Sequence, residues 1–130
     1  MDEYGIKIDV SGQVTVQHIY NHIFDFICEH VDEDYEVIRE TLLGYPYIVI
    51  INRARYWPQL AKNQLASYIC KGNYLGDVVV LKSVKTGDLY KIVPLTEDEA
   101  YMLFAYCCRL RGIAVGSYYV TQNNTERLAK

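Results

Sequence analysis

The sequence predicts a single α+β domain in which three to four helices pack on a largely antiparallel sheet of about five strands. Three observations predict it. Apolar runs at helical spacing alternate with short β-branched runs. One pair of candidate strands is joined by a hairpin signal. No repeat, low-complexity tract or Pro/Ser-rich linker divides the 130 residues. A chain of this length buries roughly two-thirds of its unfolded surface around one core. Its 51% hydrophobic and 22% charged residues are the ordinary globular balance and exclude disorder as its general state. Residues 1–130 are therefore read as one domain, with 122–130 as a loose polar tail.

The elements are justified in chain order. Tyr4 to Asp9 is expected to be a short strand, ended by the turn signal Ser11-Gly12. From Val16 to Val31 apolar residues recur at helical spacing, with Val16, Ile19, Tyr20, Ile23, Phe24, Ile27 and Val31 on one face and Thr15 as N-cap, which predicts a long first helix. Asp34 to Leu43 is read as a second helical piece stopped by Gly44 and Pro46. Tyr47 to Asn52 is a continuous apolar, β-branched run and predicts a buried strand.

Pro58 suits a first helical position, and Trp57, Ala61, Leu65 and Tyr68 share a face up to Gly72-Asn73, which predicts a further helix. Asp77 to Val84 and Leu89 to Val93 flank Lys85-Thr86-Gly87-Asp88, the clearest hairpin in the chain. Thr96-Glu97-Asp98-Glu99 is a capping box, so a well-defined last helix starts there, complemented by Arg109 and Arg111 and capped by Gly112. A final strand is expected from about Ile113 to Thr121.

Composition narrows the function classes. A net charge of −3 is too small for an acidic mimic of DNA and argues against a large basic surface that holds nucleic acid by counterion release. The acidic start Met1-Asp2-Glu3-Tyr4 resembles no targeting segment, and the longest apolar run, Tyr45 to Ile51, is too short to span a bilayer. The expected location is the cytoplasm, or a host's cytoplasm, with no membrane partner. Cys28, Cys70, Cys107 and Cys108 show no paired spacing and are expected as free thiols.

Three sets of residues carry chemistry worth testing. The last helix is apolar nearly all round: Ala100, Leu103, Phe104, Cys107 and Leu110 supply one face, yet Tyr101, Met102, Ala105, Tyr106 and Arg109 occupy the other. Tyrosine, methionine and arginine are enriched in interface cores, so this second face is the candidate contact surface for a protein partner or a second copy. The chain's 13 tyrosines fit the same reading, since their rings are rigid and amphipathic.

The second set is Arg53, Arg55, Tyr56 and Trp57, between a buried strand and a helix start. Unpaired amides, two guanidinium groups and stacking rings would suit a nucleotide or nucleic acid. The third is His18, His22 and Asp25, which on the expected first helix would form one polar stripe able to ligate zinc or iron. No catalytic motif accompanies any of them. Arg109-x-x-Gly112-x-Ala114 matches the pyrophosphate motif of GNAT-type acetyltransferases, but a helix precedes it where that family has a strand. The expectation is a small non-enzymatic binding or regulatory protein without a cofactor, acting by protein–protein contact, of the kind found among phage and mobile-element accessory inhibitors. A nucleotide- or nucleic-acid-binding domain is the alternative, and a metal-dependent enzyme the third reading.

Overall fold

Val78, Val79, Val80 and Leu81 are fully buried, as are Ile48, Val49, Ile50 and Ile51, so both faces of the sheet's centre are covered. The computed structural model describes residues 2–53 and 60–114, with side chains as far as Gly112. The central strand β5 (Val78–Thr86) pairs with β4 (Tyr47–Asn52) on one side. On its other side β1 (Tyr4–Ile8) and β6 (Leu89–Val93) follow one another along its length. An edge strand, β2 (Val14–His18), pairs with β1, and β3 (Tyr35–Ile38) pairs with β4. The result is a six-stranded sheet of order β2-β1-β5-β4-β3 with β6 beside β5, every pairing antiparallel.

Strand alternation divides the apolar residues between two layers. Ile6, Ile8, Val49, Ile51, Val78 and Val80 face α2 (Gln64–Cys70) and α3 (Glu97–Ala114), meeting Leu65, Ala66, Ile69, Leu103 and Cys107. Ile48, Ile50, Val79 and Leu81 face α1 (Ile23–His30) through Phe26 and Ile27. Gly5 permits that approach, because a Cβ there would lie 2.9 Å from the Phe26 ring.

The architecture is α+β, with three helices and an antiparallel sheet of six strands among the described residues. Gly87 adopts φ 64° in the β5–β6 hairpin, and the capping box closes with Thr96 Oγ1 accepting from Glu99 N and Glu99 Oε1 accepting from Thr96 N.

Four expectations are corrected. The long helix over Val16–Val31 does not form: Val14–His18 is strand β2, in register Tyr4↔His18 to Ile8↔Val14. The turn decides this, since Asp9 Oδ1 accepts from the amides of Ser11 and Gln13 and folds β2 back on β1. Thr15 is therefore a strand residue, and His22 is the N-cap of α1, its Nδ1 accepting from Phe24 N at 3.2 Å. Asp34–Leu43 is not a helix either, because Tyr35-Glu36-Val37-Ile38, aromatic and β-branched, pairs with β4 as β3.

The third helix is shorter than expected, starting at Gln64 behind its N-cap Asn63, while residues 54–59 lie outside the described ones. Gly112 does not cap α3, which continues to Ala114, so Ile113 begins no strand; the rest of that expected strand and the tail lie outside the described residues.

Candidate functional site

The capping box sets where α3 starts and therefore which residues it turns outward. Ala100, Leu103, Cys107 and Leu110 are buried against the sheet. On the opposite side Tyr101 is 55% and Met102 58% exposed, and Asp98, Ala105 and Arg109 are exposed with them. At 100° per residue, Asp98 and Arg109 stand about three turns apart on one face, about 16 Å along the axis. The stripe is thus acidic at one end, basic at the other, and apolar between, with the small Ala105 near its middle.

Four of the five residues expected at a contact surface share this stripe. Tyr106 is half-buried at its flank, where its hydroxyl makes a long 3.4 Å hydrogen bond to Leu42 O and its ring lies 5.2 Å below the Arg109 guanidinium. Tyr106 therefore serves the fold and holds Arg109 in place. Asp98 was not singled out from the sequence, where it reads only as a favourable charge in the first turn.

Arg53 has other work. Its Nε donates to Asp34 Oδ1 at 2.9 Å and its Nη2 to Tyr35 O at 3.2 Å, fastening the end of β4 to the start of β3. Arg55, Tyr56 and Trp57 lie outside the described residues.

His18, His22 and Asp25 share no helical stripe, because His18 ends β2, His22 caps α1 and Asp25 lies in its first turn. Among the described residues no group of three or more His, Cys, Asp or Glu side chains is placed to hold a metal ion. His18 instead sits between Tyr4 and Tyr20, ring centroids at 4.9 and 4.2 Å, with Nε2 3.6 Å from Asp2 Oδ1. It lines a cleft of about 180 Å³ together with His30, an arrangement no helical reading of residues 16–31 could reveal. Burial, with help from the Lys7 charge, lowers the His30 pKa; Glu29 and Asp77 oppose the shift.

Cys70 and Cys107 are buried, and desolvation pushes each thiol up to about 12, so neither supplies a thiolate near neutral pH. Cys28 is exposed.

No protein-family model and no curated protein matches the chain. Among solved structures, the crystal structure of the small RNA methyltransferase HEN1 is similar over 83% of this chain, with a TM-score of 0.53 and 16% identity. The chain spans 16% of the length of that protein. At this identity the likeness is one of fold. Among the described residues no helix is long and apolar enough to cross a membrane.

Proposed function

We propose that the chain is a non-catalytic binding protein that works by protein–protein contact, and that its α3 stripe pairs with the same stripe of a second copy. The reading is carried by the self-complementary order of that stripe: Asp98 at one end, Tyr101, Met102 and Ala105 between, and Arg109, steadied by Tyr106, at the other. Two such helices laid antiparallel about a two-fold axis midway between Met102 and Ala105 bring each Arg109 opposite the partner's Asp98, while the apolar residues meet in the middle. A contact of this kind is isologous and closes on itself. One helix face is small beside the roughly 800 Å² per partner of a standard interface, so a dimer with a micromolar Kd is expected.

Sedimentation equilibrium over a range of concentrations tests the reading. The parent is expected to dimerise reversibly, Met102→Asp to be monomeric and equally stable, and Asp98→Lys and Arg109→Glu each to weaken the dimer. The double variant is expected to recover it, because the two charges exchange places across the axis. A parent that stays monomeric at about 100 μM, well above a micromolar Kd, or a double variant no tighter than either single one, rejects this pairing.

A further inference from the structure

The layer remote from α3 holds a second feature. Ser83 follows Val79 and Leu81 on the same face of β5, and there it lines a cavity of about 220 Å³. The residue is 2% exposed, its amide donates to Pro46 O at 2.8 Å, and its Oγ has no hydrogen-bond partner among the described residues. An orphaned buried hydroxyl destabilises a fold, and alanine would fill the position without that cost. Ile48 and Pro46 supply apolar lining and Tyr45 and Tyr90 aromatic lining. Arg39 adds a fixed positive charge, its guanidinium held 4.6 Å above the Tyr90 ring. Glu40 also lines the space, which disfavours a ligand carrying more than one negative charge.

We propose that this cavity binds a monoanionic aromatic acid of one ring, with its carboxylate toward Arg39 and a polar substituent reaching the Ser83 hydroxyl. The size agrees: a cavity of roughly 150 Å³ admits benzene, so this one has room for a ring and its substituents. Apolar and aromatic walls with a few convergent polar groups are the usual composition of a small-molecule site. The ring covers apolar surface, and both charge and hydroxyl gain partners.

A nuclear magnetic resonance titration of the full chain with 4-hydroxybenzoate, followed at the backbone amides, tests the proposal. Saturable shifts are expected at Ile48, Ser83 and Tyr90, with phenol, which lacks the carboxylate, binding at least about tenfold more weakly. Ser83→Ala and Arg39→Gln are each expected to lower the affinity about tenfold, while Met102→Asp leaves it unchanged. Thermal melting separates a ligand role from a structural one: Ser83→Ala is expected to melt at or above the parent's temperature. Absent saturation at those amides up to about 10 mM, equal binding of phenol, unaltered binding by both variants, or a lowered melting temperature of Ser83→Ala would each overturn the proposal.

Discussion

Lys82 Nζ donates to both carboxylate oxygens of Glu99, at 3.0 and 2.9 Å, and so ties the central strand to the first turn of α3. Both side chains are mostly covered, 20% and 24% exposed, and Glu99 is at the same time the acidic member of the capping box. One carboxylate thus fixes where the helix begins and how it sits on the sheet.

The first prediction concerns this carboxylate. Glu99→Ala removes the ion pair and the bond to Thr96 N and is expected to cost about 2 kcal/mol, and Glu99→Gln about 1 kcal/mol, by urea unfolding. Burial alone would raise the Glu99 pKa, but the hydrogen bonds with Thr96 and the bonds and charge of Lys82 outweigh it and hold the pKa below its usual 4.5. Stability from this group is therefore present above pH 4.5 and lost as pH falls below it, and Glu99→Gln should flatten that part of the profile.

A second prediction falls on Asn63, which is fully buried. Its Nδ2 donates to Ile8 O at 3.0 Å and Gly76 O at 2.9 Å, and its Oδ1 accepts from Ala66 N at 3.0 Å as the N-cap of α2. One side chain joins β1, the loop before β5 and a helix start. Asn63→Ala leaves three buried backbone groups without this partner, and a loss of about 3 kcal/mol or more in urea unfolding is expected. Asn63→Asp keeps the cap but loses both donors, so it should not rescue the protein.

These residues mark how far local pattern reaches. The hairpin around Gly87 and the Thr96–Glu99 box were legible because each rests on contacts between near neighbours in sequence, and the run Tyr47 to Asn52 because its continuous apolar, β-branched composition already reads as a buried strand. Val14–His18 and Tyr35–Ile38 were not, because their apolar spacing also fits a helix and only pairing with β1 and β4 decides between the two. The α3 stripe and its charge order both follow from periodicity, since the capping box marks the helix start and Asp98 stands eleven residues before Arg109, about three full turns. From the sequence Asp98 reads only as a favourable first-turn charge. The bonds of Asn63, the cavity at Ser83 and the cleft that His18 and His30 both line are set by how separate segments pack together, and nothing in the local sequence announces them.

His30 supplies a third prediction. Its folded pKa lies below the ordinary 6.5, chiefly because burial penalises the charged ring and secondarily because of Lys7. As pH falls below 6.5 the unfolded chain takes up this proton before the folded one does, so stability drops through the window between 6.5 and the folded pKa. Lys7→Met should raise the His30 pKa in a nuclear magnetic resonance titration, since Glu29 and Asp77 then act on it without that opposing charge. An unchanged titration would remove Lys7 from this account.

The last prediction separates the thiols. Cys28 lies exposed on α1, whereas Cys70 and Cys107 are buried in the layer of α2 and α3 with pKa values pushed to about 12. A thiolate-specific reagent such as Ellman's reagent at pH 8 is expected to modify Cys28 within minutes, and Cys108, half-buried, more slowly. Cys70 and Cys107 should react only as fast as the fold opens, so their rate should rise with urea while that of Cys28 stays flat. Labelling Cys28 should leave dimerisation intact, because α1 covers the face of the sheet opposite α3. A dimer lost on that labelling would place the contact on α1 rather than on the α3 stripe.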